Sequence, residues 1–86
     1  MANSLHFQRD KLPVLQLVRD YLKAGGRLLL VEYNADRGNP WVPHPLSFPT
    51  FATLAQQAGF SKPRLLEIVP SRFLREIYSA EAIKPE

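Results

Sequence analysis

An apolar stripe at helical spacing stops at a pair of glycines, and four large apolar residues follow at once. This junction restricts the fold more than any other feature of the chain. Leu12, Leu15, Val18 and Leu22 recur at the spacing of one helix face, and Val14, Leu17 and Tyr21 widen it. Gly25-Gly26 closes the stripe, because glycine takes the left-handed backbone that ends helices. The spacing predicts a helix over residues 11–23, with Asp10 as its N-cap and Pro13 tolerated in the first turn. Leu28-Leu29-Leu30-Val31, followed by Glu32 and Tyr33, predicts a strand covered on both faces.

Asn34 to Pro49 holds four prolines, a glycine, two asparagines and the lone tryptophan, a composition that predicts a long functional loop. Ser47 is placed to cap a second helix with Phe51, Leu54, Ala55 and Ala58 on one face and Gly59 as its stop. Arg64–Val69 and Phe73–Tyr78 are strand-like, and Pro70-Ser71-Arg72 between them makes an antiparallel hairpin the simplest connection. The tail from Glu81 is polar and predicted to fray. The resulting order, strand end–helix–strand–loop–helix–strand–strand, predicts an α/β layer with a parallel core and a terminal hairpin. That is the second half of a doubly wound domain. Ligands of such sheets sit outside the carboxyl ends of the parallel strands. The rule marks Asn3–Phe7 and Tyr33–Pro45.

Composition removes several function classes. The 86 residues suffice for one small domain, which buries only about 60% of its unfolded surface. A hydrophobic share of 45% argues against disorder. There is no cysteine, hence no disulfide, thiolate metal site or cysteine nucleophile. His6 and His44 are too far apart for a helical zinc motif. The net charge of +3 is spread out, with basic residues beside acidic ones (Arg9-Asp10, Arg19-Asp20, Arg75-Glu76), a pattern that argues against nucleic acid as a partner. No apolar run approaches the roughly 18 residues of a membrane span, and MANSLHFQRD lacks the apolar centre of a signal peptide. A cytoplasmic protein is expected.

The segments MANSLHF, YLKAGGRLLLVEYNADRGNPWVPHPLSF, LAQQAGF and VPSRFLREIYSA resemble the C-terminal half of class I S-adenosylmethionine-dependent methyltransferases. In that family a strand ending in Asn-(Ser/Ala)-Leu-His precedes a helix, a Leu-Lys-x-Gly-Gly turn, an apolar strand ending in Glu, a helix ending in Ala-Gly-Phe and a terminal hairpin. The resemblance spans roughly residues 2–80, and Leu22-Lys23-Ala24-Gly25-Gly26-Arg27 carries most of it. It implies a Rossmann-like half-domain, with residues 1–86 forming one partial methyltransferase-like unit. The family's glycine-rich cofactor turn has no counterpart, since the sequence contains no Gly-x-Gly. The expectation is therefore a truncated or split transferase whose S-adenosylmethionine binding is weak or absent in this chain alone. Methyl transfer to a small acceptor would need an N-terminal half. The alternative is a non-catalytic, self-associating α/β interaction module.

By resemblance Asn3, Ser4, Leu5 and His6 would contact the cofactor. His6 also suits a base, because imidazole titrates near neutrality, or simply a hydrogen bond to a neighbour. Tyr33, Asn34 and Trp41 would line the acceptor pocket, since aromatic walls hold a methyl-sulfonium by cation–π attraction. Trp41 serves equally as a packing plug. Arg72 and Arg75 either bind an anion or are solvated, and Glu32 has no evident acid–base partner. No catalytic dyad or triad can be assembled. Loss of a neighbour along Leu28–Tyr33 would leave a strand edge open. The expected partners are thus a second copy, joined through the N-terminal segment and this strand, or a separately encoded N-terminal half.

Overall fold

A computed structural model of the chain describes residues 2–3, 9–40, 43–72 and 75–85. The elements are β1 (Ala2–Asn3), α1 (Leu12–Tyr21), β2 (Arg27–Tyr33), α2 (Phe48–Gln57), β3 (Arg64–Pro70) and β4 (Glu76–Ile83), in the order the residue pattern predicts. In space the strands lie β1-β2-β4-β3. The three long strands are antiparallel to their neighbours, and the two residues of β1 add in parallel at Leu29 and Leu30. The parallel core that the residue pattern predicts is therefore not found. The sheet is open and mainly antiparallel, because β4 returns alongside β2 in the opposite direction, and parallel pairing among the described residues is confined to those two positions.

Lys11, not Asp10, is the N-cap of α1, and no side chain caps it. An N-cap side chain bonds the amide two or three residues on. Pro13 sits at the nearer of those positions and has no amide to offer. The helix stops at Tyr21, Leu22 is extended, and Gly25 turns the chain with a φ of 79°. Backbone bonds from Gly25 N to Lys84 O (2.9 Å) and from Lys84 N to Gly26 O (2.8 Å) then stitch this turn to the end of the chain. At the other helix, Ser47 does cap α2, its hydroxyl accepting from the Thr50 amide. Gly59 ends the turn after that helix with a φ of 100°, where a Cβ would collide with the Arg19 side chain. Arg19 Nε donates to Gly59 O across 3.3 Å and ties the two helices together.

Both helices cover the same face of the sheet. Leu15 and Val18 of α1, Phe51 and Ala55 of α2, and Ala58 and Phe60 after it form one core with Leu28, Leu30, Tyr78, Ala80 and Ala82. The small Ala80 and Ala82 lie opposite Leu30 and Leu28 in the ladder and leave room for the helices. Tyr78 Oη donates to Leu46 O at 2.6 Å, and the Phe48 ring meets the Tyr78 ring edge-on. This arrangement corrects three expectations. First, β2 is covered on one face only: Leu28, Leu30 and Glu32 are buried, while Val31 is 49% exposed. Second, the last strand runs from Glu76 to Ile83 rather than from Phe73 to Tyr78, because Tyr78, Ala80 and Ala82 must all face the helices. Third, Glu81 and Ala82 are buried instead of frayed, and Glu81 is paired to Arg27 (2.9 Å) and Arg64 (3.7 Å).

Leu30 is fully buried in this single core. Leu30→Ala is therefore expected to lower unfolding free energy by about 2–5 kcal/mol. Gln56→Lys, at an exposed position of α2, should change it by less than about 0.5 kcal/mol. Urea denaturation of both variants checks the contrast.

Candidate functional site

The parallel β1–β2 pair opens at the carboxyl end of β2, where the chain leaves the sheet at Tyr33 and Asn34. Asn34 is used in full at this point. Its amide N donates to Glu76 O (2.8 Å), its Nδ2 to Glu76 Oε1 (3.3 Å), and its Oδ1 accepts from the Phe48 amide (2.9 Å). One side chain thus fastens the end of β2 to the start of β4 and to the first residue of α2. Tyr33, half-buried, lies opposite Ile77 on the face away from the helices, and its amide donates to Glu32 Oε1 (2.9 Å). Asn3 pairs with Leu30 through β1. Ser4, Leu5, His6 and Trp41, the remaining expected cofactor and acceptor contacts, lie outside the described residues.

Charged residues gather behind this end of β2, and of them the sequence pattern singled out only Glu32. Glu32 is buried beneath the helices, and Lys11 is buried within electrostatic reach of both Glu32 and Asp36. Burial pulls the Lys11 ammonium below the ordinary lysine value, and the two carboxylates only partly oppose that shift. Burial likewise pushes the Tyr78 phenol well above its usual range, with the Glu32 and Asp36 charges acting in the same direction. Nothing in the spacing of Lys11 announces this setting, because its neighbours come from β2 and from the loop after it.

Asp36 accepts hydrogen bonds from Ser47 N (3.1 Å), Ser47 Oγ (2.9 Å) and Thr50 Oγ1 (3.1 Å). Partial burial raises its carboxyl, but these bonds and the Lys11 charge outweigh that effect and hold it below the ordinary value. Asp36 therefore locks the loop onto the start of α2. Two open cavities flank it. One, of about 640 Å³, is lined by Ala35, Asp36, Arg37, Gly38 and Arg75. The other, of about 330 Å³, lies against Arg9, Lys11, Pro45 and Leu54. Among the described residues no three His, Asp or Glu side chains gather to hold a metal ion. Nor is any helix of the described residues long and apolar enough to cross a membrane. The chain matches no protein-family model, curated protein or solved structure.

A carboxyl held below its ordinary value stabilises the fold above the unfolded pKa, and the contribution disappears as pH falls through the folded one. For Asp36 that loss lies below about pH 4, the unfolded aspartate value. Thermal unfolding followed from pH 7 into acid should accordingly decline less steeply below about pH 4 for Asp36→Asn than for the natural chain. At neutral pH Ser47→Ala should cost about 1 kcal/mol as the cap is lost.

Proposed function

We propose that this chain supplies the carboxyl-terminal half of a class I S-adenosylmethionine-dependent methyltransferase domain, and that methyl transfer to a small acceptor requires an N-terminal half to complete it. The observation that carries this reading is the succession of elements. A parallel pair, β1–β2, is linked through α1 and the Gly25-Gly26 turn. After it come α2 with its Ala58-Gly59-Phe60 ending and a terminal hairpin. The hairpin turns back so that β4 pairs antiparallel with β2 and β3 takes the edge. This is the order that the sequence resemblance implies. In the completed domain the contribution of this half is positioning, which supplies much of the rate in transfers between bound reactants. The Asn34 and Asp36 ties fix the loop that would face the acceptor. The sequence has no Gly-x-Gly turn to approach the cofactor's backbone-binding groups, so the cofactor meets only part of its site here. The compartment assigned is the cytoplasm, where a chain without cysteine has no disulfide to lose.

Calorimetry on the chain alone should give a dissociation constant for S-adenosylmethionine no tighter than about 1 mM. Co-expression with an N-terminal half that carries a glycine-rich turn should bring binding into the micromolar range. Micromolar binding by the chain alone would overturn the reading.

A second reading, self-association, is favoured by β3. Every residue of this strand is exposed, including Leu65 (39%), Leu66 (45%), Ile68 (45%) and Val69 (42%). Association was expected along β2, whose edge away from β4 is paired by β1 only at Leu29 and Leu30 among the described residues. The edge of β3 away from β4 is open along its whole length and carries more exposed apolar side chains. An antiparallel twofold pairing centred between Leu66 and Glu67 would set Leu65 opposite Ile68 of a second copy, and the reverse, with both on the helix side of the sheet. Pairs of this kind contribute about 0.2–1 kcal/mol each, beyond the backbone bonds the edge gains. Light scattering at micromolar concentration should report twice the 9.8 kDa chain mass. Combining Leu65→Lys with Ile68→Lys should return a folded monomer, whereas a well-folded natural chain of single mass would exclude the pairing.

A further inference from the structure

The end of β2 and the start of β4 bring two arginines to one cavity. In the β2–β4 ladder Tyr33 lies opposite Ile77. The two bonds from Asn34 to Glu76 carry the pairing one residue further. The next residues along each strand are Ala35 and Arg75, so the Ala35–Gly38 segment runs beside Arg75. The cavity between them has a volume of about 640 Å³, and its lining includes Arg37 and Arg75. Both arginines are exposed, and neither guanidinium has an ion-pair or hydrogen-bond partner among the described residues. Asp36 is the one carboxylate in that lining, and Ser47 and Thr50 engage both of its oxygens. Its hydrogen bonds go to the start of α2, and it pairs with neither arginine.

A second observation concerns Arg75 alone. Its φ is +39°, the one positive value at a described residue other than glycine. Residues with side chains seldom adopt that backbone, and such strain concentrates at functional positions. Glycine would make the same turn without strain. It would also remove the guanidinium from the cavity.

We infer that this cavity is a binding site for a small organic oxyanion, a phosphate monoester or a dicarboxylate, gripped between Arg37 and Arg75. Each guanidinium is a permanent cation with a planar fork of donors that matches two oxygens at once. Their two positive charges exceed the single negative charge of Asp36 in the lining, so the cavity is net positive. The volume lies within the range of small-molecule sites and exceeds what inorganic phosphate fills. The body of the ligand would then lie along Ala35 and Gly38. The site goes beyond the methyl-transfer reading, because it uses residues of this chain alone and is measured with no methyl donor present.

The test is an amide NMR titration of the full chain with sodium phosphate and, separately, sodium succinate, each against sodium chloride at matched ionic strength. Saturable shifts confined to Ala35–Gly38 and Arg75 are expected with at least one of the two anions. The anion that saturates separates the phosphate source from the carboxylate source. Arg37→Gln and Arg75→Gly should each weaken binding by about tenfold or more, as expected for losing a charged hydrogen-bond donor. Arg75→Lys, which keeps the charge and loses the fork, should fall between. Arg75→Gly also separates binding from folding, since relief of the positive φ should leave its melting temperature equal to or above that of the natural chain. Equal shifts with chloride, or saturable binding that survives both Arg37→Gln and Arg75→Gly, would overturn the assignment.

Discussion

Seven residue pairs between β2 and β4 decide which side chains meet the helices and which meet water. In this register Leu28, Leu30 and Glu32 share a face with Ala82, Ala80 and Tyr78, and that face carries the whole core. A slip of one residue would turn Val31 and Ser79 inward and expel Leu30, because strand side chains alternate with a period of two. The alanines matter as much as the leucines. They let α1 and α2 pack closely over β4, and Phe51, Leu15 and Tyr78 fill the space that remains. The other face holds Val31, Val69 and Ile77 around a shallow cavity of about 210 Å³. At its far end Glu81 sits between Arg27 and Arg64. One register thus sets both the buried face and the open one.

The same register organises the carboxyl end of the sheet. Once Tyr33 faces Ile77, the next pair is Asn34 with Glu76, and the Asn34 side chain also reaches the Phe48 amide. Asp36, two residues further, binds Ser47 and Thr50. A proline-rich loop thereby gains fixed ends. The polar groups used for this, Asn34 and Asp36, are saturated by the protein. The side chains at the rim without a partner among the described residues are the cations Arg37 and Arg75, which is what suits the cavity to an anion.

Signals carried within one element were legible in the sequence. The Leu12, Leu15, Val18 and Leu22 stripe, the Gly25-Gly26 turn, the Ser47 cap and the Gly59 stop each depend on a few adjacent residues and lie where the spacing puts them. Leu17 and Tyr21, expected to widen the stripe, are instead exposed, and the helix ends at Tyr21 rather than at residue 23. The cap expected at Asp10 falls one residue later, at Lys11. What escaped the sequence depends on distant partners. Glu81 reads as a solvated tail residue until Arg27, 54 positions earlier, is placed beside it. Lys11 reads as a surface lysine until β2 brings Glu32 against it. The strand-end rule marked Tyr33 and Asn34, which stand at the carboxyl end of β2. It could not show that the Asn34 amide would be consumed in holding three elements together, because Glu76 and Phe48 arrive from elsewhere in the chain.

The two functional readings place their demands on different surfaces. Completion by an N-terminal half would cover the open face, where Val31, Val69 and Ile77 offer apolar area bounded by the Arg27–Glu81–Arg64 cluster. Pairing of two copies would use the outer backbone edge of β3 and the Leu65 and Ile68 side chains on the helix side. A strand in a sheet has two faces and two edges, and β3 spends only one edge on β4. Occupying the other edge does not obstruct the open face. Self-association is therefore no argument against a missing half, nor a missing half against self-association. The proline at position 70 has no amide to give another strand, so edge pairing is limited to Arg64–Val69. The bulge between Leu65 and Glu67 falls at the centre of that stretch, where it twists the edge and disfavours open-ended stacking of further copies.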